Sequence, residues 1–389
     1  MLDYKSLPLE IWLLILEKAI ASKKDVDFIT PSYIPFRPVP DDSLNPAITT
    51  RAKVALVCRE WLYLTSRFLY EDVRISHGIY TLRDSLCQHS DHGGMVRRLV
   101  LPYSMTVTMP DNDLSHLSLE ILRLCTNLET LVRPRLTSPS EALSFHFETD
   151  GLPLPSLRRL DWWYHSEAER SGGINSLSNV LQGTPNLEYL SVGGIAGYYP
   201  VLRGPYPVTL EKLRTLRLHH GSNGFLIRVM VNLWSLPTLT NIIVDSPVAH
   251  TGLFHVWETF GAQLRTVEFG KHVRFMLDDH IAACLQGCPN LVELNYHIFF
   301  TMAPSRNIVR HPSISKIGLH AAVNQFFNDG HKVCQHIEEH CTTFLDDTVF
   351  PSLRRLVLHG EWRGIISHPQ LAKTWQALDK HGIVAALPD

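Results

Sequence analysis

The sequence predicts an α/β fold built from short parallel strands that alternate with helices over most of the chain. Three observations lead there. The chain is long and apolar enough for a large core, with 389 residues, 45% hydrophobic and 19% charged, against roughly 150 residues for one domain. A phrase of the form L-x-x-L-x-L recurs as TNLETL, LPSLRRLDW, TPNLEYLSV, LEKLRTLRL, LPTLTNIIV, AQLRTVEF, CPNLVELNY, HPSISKIGL and FPSLRRLVL, with a weaker copy, MVRRLVL, ahead of them. Between phrases lie stretches of helical spacing that end in glycine, such as Ser178 to Leu181 before Gly183 and Ile281 to Leu285 before Gly287, where a helix C-terminus favours that residue.

The first apolar positions of the phrases are Val96, Leu128, Leu157, Leu187, Leu213, Leu239, Leu264, Leu291, Ile314 and Leu353, with spacings of 32, 29, 30, 26, 26, 25, 27, 23 and 39. On a strand the fourth and sixth positions share one face, and the third, fifth and seventh share the other. One unit cannot bury its own apolar face, so neighbouring units have to stack. The spacing and phrase resemble leucine-rich repeat proteins, whose period is about 20 to 29 residues. The resemblance departs at the ninth position, where Asn or Cys is usual and this chain has Leu136, His165, Ile195, Gly221, Pro247, His272, Phe299, Ala322 and Glu361. Residues 76–360 are therefore expected to form an irregular leucine-rich-repeat-like solenoid, with parallel strands on the concave face and helices outside. Residues 361–389 read as a C-terminal cap: a helix from Pro369 carrying Leu371, Trp375 and Leu378, a stop near Gly382, and the short strand IVAAL.

The N-terminal residues 1–75 read differently. Residues 1–20 read as an amphipathic helix with Pro8 in its first turn, Glu10 near the positive end of the dipole, and Leu7, Ile11, Leu14, Ile15 and Ala19 along one stripe. Residues 22–50 carry Pro31, Pro35, Pro38, Pro40 and Pro46 and read as a loop. A second helix is expected over Arg51 to Leu69, with Val54, Val57, Trp61, Leu64 and Phe68 at spacings of three and four, widened by Cys58 and Leu62.

The order LPLEIWLLIL, then VALVCREWLYLTSRFLYEDVRI, resembles an F-box, the helical module that docks a chain onto the Skp adaptor of cullin-RING ubiquitin ligases. Leu7-Pro8 with Glu10-Ile11 matches the opening of that motif, and Val57-Cys58-Arg59, Trp61 and Leu69-Tyr70 match its second half. The proline-rich insertion is unusual for the module. The resemblance implies that Leu7, Pro8, Ile11 and Ile15, with Val57 and Trp61, meet the adaptor. An F-box ahead of irregular leucine-rich units and a tryptophan-bearing cap is similar to the large fungal families of F-box proteins. The alternative is a helical pair that only caps the repeat array.

Little in the sequence points to catalysis. There is no G-x-S-x-G, Walker A loop or G-x-G-x-x-G. The sequence His336-Ile337-Glu338-Glu339-His340 matches the inverted zinc-protease pattern, in which Glu339 takes the place of the base, with His331, Cys334 and Cys341 nearby. With 21 histidines in the chain, such a short match arises easily by chance, and a helix face is the simpler reading. Cys284 and Cys288, with His280 one turn earlier, read as buried thiols, and the adjacent Asp346 and Asp347 as loop carboxylates. No cofactor and no metal site are expected.

The seventh phrase position carries Trp163, His219, His297, His320 and His359. The third and fifth add Arg159, Asp161, Tyr189, Arg217, Asp245, Glu268, Glu293, Asn295, Lys316 and Arg355, with Asp245 falling at the seventh. Such a mixed-charge, aromatic face suits a protein partner. Within it, Arg159, Trp163, Tyr189, Arg217, His219, Asn295, His297, His320, Arg355 and His359 are the candidate contact residues. Neighbouring histidines titrating near pH 6.5 are expected to make binding pH-dependent between about pH 5.5 and 7.5.

Composition limits the partners. Thirty-six basic against 38 acidic residues leave a formal charge of -2, so no general attraction to nucleic acid or an anionic membrane is expected. The apolar run Ile11 to Leu16 is too short to span a bilayer, and Asp3, Lys5, Glu10 and Glu17 argue against a signal peptide. Seven cysteines and 14 asparagines without an N-x-S/T acceptor fit a reducing cytoplasmic or nuclear compartment. The expected function is a non-catalytic substrate receptor of a cullin-RING ligase, holding a Skp-type adaptor and an unknown target. A repeat scaffold without ligase recruitment is second, and a zinc hydrolase at His336 and His340 third.

Overall fold

The computed structural model describes residues 7–20, 29–38, 46–75, 78–102, 114–135, 151–195, 207–219, 224–246, 250–305, 309–327 and 329–388. Parts of the expected first helix (1–6) and of the proline-rich insertion (22–28 and 39–45) lie outside these. The fold is α/β. The chain forms two compact units: one of residues 1–31, 38–190 and 197–210, the other of residues 32–37, 191–196 and 211–389.

The first unit opens with a helical trio, Leu9–Ile20, Pro46–Ala55 and Arg59–Glu71. The Pro8 carbonyl accepts from the Ile11 and Trp12 amides, so the first helix starts just after the proline. Leu16, Ile20 and Leu64 are buried together, with Trp12, Leu13, Val54, Trp61 and Phe68 packed around them. The single helix expected over Arg51 to Leu69 is two helices. The first begins at Pro46, where a missing amide costs nothing. The break falls at Cys58, whose extended backbone (φ -161°) lets its Sγ accept from the Trp61 amide and cap the second helix.

Strands β1 (Asp72–Arg74), β2 (Arg98–Val100), β3 (Thr130–Arg133), β4 (Arg159–His165) and β5 (Tyr189–Ile195) follow in spatial order, with β6 (Val208–Thr209) apart. β1 to β4 pair parallel in unbroken register, Asp72 to Arg98, Arg98 to Thr130, and Thr130 to Arg159. The first unit ends within β5, after Leu190. The second unit contains β7 (Thr215–Leu218), β8 (Trp234–Ser235), β9 (Asn241–Val244), β10 (Thr266–Phe269), β11 (Glu293–His297), β12 (Lys316–Ala321), β13 (Arg355–Gly360) and β14 (Val384–Ala386). All but β8 lie side by side in chain order, each paired parallel with the next. Parallel neighbours need a crossover between them, here often a helix such as His250–Phe260, His280–Gly287 or Gly330–Phe344.

The phrases account for the core. Their first and fourth residues, for example Leu157 and Leu160, Leu213 and Leu216, and Leu291 and Leu294, are buried in every copy. Each such leucine contributes about 1.5–3 kcal/mol on burial. At the C-terminus Trp362 is wholly buried and donates its indole N–H to the Leu319 carbonyl, while Ala372–Lys380 runs to Gly382, whose φ of +71° reverses the chain into β14.

The missing ninth-position ladder is replaced by another. The polar residue just before the first phrase position donates its side chain to a backbone carbonyl one phrase earlier: Asn127 to Gly94, Ser156 to Thr126, and Asn186 to Pro155 in the first unit. In the second unit Thr238 reaches Glu211, Gln263 reaches Leu236, Asn290 reaches Ala262, and Ser313 reaches Pro289. The shared lead-ins of the phrases, such as PNL and PSL, thus carry a structural role. Replacing Asn127, Asn186 and Asn290 together by Ala is expected to lower unfolding stability by about 3 kcal/mol, near 1 kcal/mol per lost bond at well-separated sites. Urea denaturation measures it.

Candidate functional site

The face bearing phrase positions three, five and seven differs from the open surface expected. In the first unit Arg159 is wholly buried: its guanidinium bonds Asp161 at 2.9 and 3.2 Å, lies 4.5 Å from the Tyr189 ring centroid, and reaches the Thr30 carbonyl at 3.4 Å. Tyr189 is buried as well, and Trp163 is buried with the Arg135 guanidinium 5.3 Å from its ring. These three side chains belong to the interior of the first unit.

In the second unit the parallel register lines the face into rows. Arg217 lies opposite Ile243, and Glu268, Asn295, Gly318 and Val357 follow across the next strands. One row along, His297, His320 and His359 stand directly opposite one another on β11, β12 and β13. The rings of His297 and His320 are 4.4 Å apart, close to the strand spacing that parallel neighbours impose. His219 is half-buried against Gly193, where a Cβ would come within 2.5 Å of its Nδ1, and Arg355 is exposed.

The histidine row is covered by residues 32–37 of the same chain. Phe36 sets its ring 5.1 Å from His297, 5.0 Å from His320 and 4.8 Å from His359, centroid to centroid. The Phe36 amide donates to Glu268 Oε2 at 2.9 Å, and the Tyr33 hydroxyl donates to the same oxygen at 2.7 Å. Tyr33 Oη in turn accepts from Asn295 at 2.7 Å, and Asn295 also donates to Glu293, the ion-pair partner of Lys316. Arg217, paired with Asp245 at 2.6 Å, donates to the Arg37 carbonyl. Asn295 and Gly318 make the seat: a Cβ on Gly318 would strike the Asn295 side chain and lie 3.5 Å from the Phe36 ring. A glycine within a strand pattern marks such close approach.

The backbone of this segment is strained at its centre. The Arg37 amide bonds the Ile34 carbonyl, so Ile34 to Arg37 form a turn with Pro35 second and Phe36 third. Phe36 has φ +57°, a left-handed conformation that a type II turn demands at this position and normally assigns to glycine or asparagine. For a bulky residue the cost is about 1–2 kcal/mol. Contacts of the ring and amide with the sheet hold it there. Tyr33, Phe36 and Arg37 escaped the sequence reading because the partners of Tyr33 and Phe36 on the sheet lie more than 230 residues away.

Burial shapes the charges. Glu268 is pushed up to about 7 by desolvation, opposed by the bonds from Phe36 and Tyr33 and by Arg217, and helped by Asp245. Burial pushes His297 down to about 3, with His320, Lys271 and Arg217 adding to it, and His359 down to about 4, with His320 and Lys316 adding and Glu293 opposing. His320 shifts the same way through burial and Lys271. The titration expected near pH 6.5 is therefore displaced to acid while the segment is seated. The unfolded chain binds protons on these histidines below pH 6.5 and the folded chain does not, so their stability contribution is whole above 6.5 and falls toward pH 3. Glu268 acts oppositely, its contribution falling as pH rises from 4.5 through 7. The three histidines outweigh the one carboxylate, and the melting temperature is expected to drop on acidification below pH 6.5. Gln at His297 and His359 should flatten that slope in a thermal melt series.

The helical trio presents apolar side chains of a different kind. Leu7, Ile11, Leu14 and Ile15 are 38, 41, 52 and 44% exposed, Pro8 is exposed, and Val57 is 60% exposed. Trp61 is turned inward, half-buried with its ring 5.6 Å from Trp12.

His336 and His340 face inward from their helix, while Glu339 is exposed. His336 Nε2 lies 2.8 Å from the Ile298 carbonyl and 3.2 Å from His340 Nε2, and His340 Nδ1 bonds the Tyr296 hydroxyl at 2.9 Å. Burial lowers both pKa values. The pair thus serves as a neutral link between helix and sheet, with the proposed base on the other side of the helix. Among the described residues no group of three metal-binding side chains is assembled. Cys284 and Cys288 are wholly buried, and burial pushes the Cys284 thiol up. Among the described residues no helix is long and apolar enough to cross a membrane.

No protein-family model matches the chain, and no curated protein matches it. Among solved structures, a structural-genomics crystal structure of a Bacteroides fragilis protein is similar over 82% of this chain and 74% of that one, at 11% identity and a TM-score of 0.40. At that level the likeness says nothing about function.

Proposed function

We propose that the chain is a substrate-receptor subunit of a cullin-RING ubiquitin ligase. In this reading the N-terminal helices are an F-box that docks a Skp-type adaptor, and the phrases form an irregular leucine-rich-repeat-like solenoid that holds a target protein. The observation that carries the reading is the apolar stripe of the first helix. Ile11, Leu14 and Ile15 stay exposed on a helix whose Leu16 and Ile20 are buried, and Leu7, just ahead of it, is exposed too. Leu7, Ile11 and Ile15 coincide with positions of the F-box resemblance, and Val57 adds to them from the second half of the motif. A contiguous exposed apolar row marks a protein contact. The subunit acts by proximity, raising the effective concentration of the target at the ligase; no residue of it needs to do chemistry. Such a receptor works in cytoplasm or nucleus.

Co-expression with a Skp-type adaptor tests the reading. Capture of the adaptor is expected to bring down the chain in near-equal amount. A folded chain that the adaptor leaves behind is instead a repeat scaffold whose helical trio only caps the array.

A further inference from the structure

The segment of residues 32–37 belongs by its contacts to the second unit and covers that unit's sheet. The stretches before and after it belong by their contacts to the first unit, and within six residues it places two aromatic side chains, one amide and one carbonyl on the sheet. Both aromatic anchors are specific: the Tyr33 hydroxyl sits between Glu268 and Asn295, and the Phe36 ring sits on three imidazoles over the notch at Gly318.

The fit is also incomplete. His297 Nδ1, His320 Nδ1, His359 Nε2 and Asn295 Oδ1 are buried with no hydrogen-bond partner among the described residues. Buried polar atoms are almost always satisfied, so this face has hydrogen-bonding capacity that its occupant does not use. The occupant is held at a strained φ of +57° besides. A peptide without that strain and with a polar atom at the imidazoles would use what the resident segment leaves unused.

We propose that this face is a peptide-binding site, that Ser32–Arg37 is its built-in occupant, and that its external ligand is an extended segment of a partner protein with tyrosine followed three residues later by a second aromatic residue. A hydroxyl on that second ring, as in Tyr-x-x-Tyr, supplies the missing hydrogen bonding. The resident segment sets a threshold, because the apparent affinity of an external peptide is scaled down by the fraction of time the site is empty. The inference rests on reading this face as the recognition surface but not on adaptor binding, and its test contains no adaptor, so the two fail separately.

The probe is a labelled peptide with the sequence of residues 30–38, Thr-Pro-Ser-Tyr-Ile-Pro-Phe-Arg-Pro, titrated into the full chain and read by fluorescence anisotropy. The double variant Tyr33→Ser with Phe36→Gly empties the site in cis and is expected to bind the probe about tenfold or more tighter than wild type. Adding Gly318→Val, which fills the notch, should abolish that gain, and probes with Ala at either aromatic position should not bind. A probe with tyrosine in the second aromatic position should bind tighter than the original. Hydrogen exchange on the wild-type chain covers a double variant that fails to fold: millimolar Tyr-x-x-Tyr probe is expected to speed exchange of the Phe36 amide. A folded double variant that binds no probe, or a Phe36 amide indifferent to it, overturns the proposal and leaves the segment a fixed part of the fold.

Discussion

A chain ending at residue 250 is expected to aggregate rather than fold. The cut leaves β9 as the edge of the sheet, without the β10 residues Thr266 to Phe269 that pair with Asn241 to Val244. It uncovers Leu239, Ile242, Ile243 and Val244, each buried in the whole chain, and removes most of the helix His250–Phe260. At about 1.5–3 kcal/mol for each large apolar side chain returned to water, these residues alone rival the total stability of an ordinary domain, about 5–15 kcal/mol. An apolar parallel edge also templates association with other chains. Size-exclusion chromatography and a thermal melt measure the outcome. A compact monomer with a cooperative transition would mean that the early phrases fold without the later ones, contrary to the stacking argument.

Replacing Leu7 and Ile11 by Asp together is expected to abolish adaptor binding, a loss of at least about a hundredfold, while the melting temperature changes little. Both side chains are exposed, so the free chain bears no desolvation cost for the new carboxylates. Docking against an apolar adaptor surface would bury two charges with nothing to pair them, at several kcal/mol each. The same substitution at Leu16, which is buried against Ile20 and Leu64, should instead unfold the helical trio. The contrast between the two faces of one helix separates a binding role from a structural one.

The strand phrases were readable because their signal is local: the apolar residues at the first and fourth positions mark each strand and are buried in every copy. The helix break at Cys58 was not readable, since the spacing of Val54, Val57, Trp61 and Leu64 continues through it and only the short stretch Leu56 to Cys58 interrupts the helix. The lead-in ladder was visible as shared PNL and PSL phrases, though its bonding partners lie one phrase back. The histidine face was half legible. His297, His320 and His359 do align in one row, but their cover comes from Tyr33 and Phe36, in a proline-rich stretch read as a loop. Pairing across such a distance leaves no periodic trace. The one local hint was Gly318 in the strand KIGLHA, a gap in the side-chain row where the Phe36 ring fits.

The ligase reading stands or falls on direct binding of the purified chain to a purified Skp-type adaptor. Calorimetric titration of the two is expected to give a one-to-one complex with a Kd of about 1 μM or tighter, equivalent to about 8 kcal/mol, and no detectable heat for the variant with Asp at Leu7 and Ile11. A folded wild-type chain that gives no binding heat across several temperatures, or a variant that binds as tightly as wild type, would contradict it.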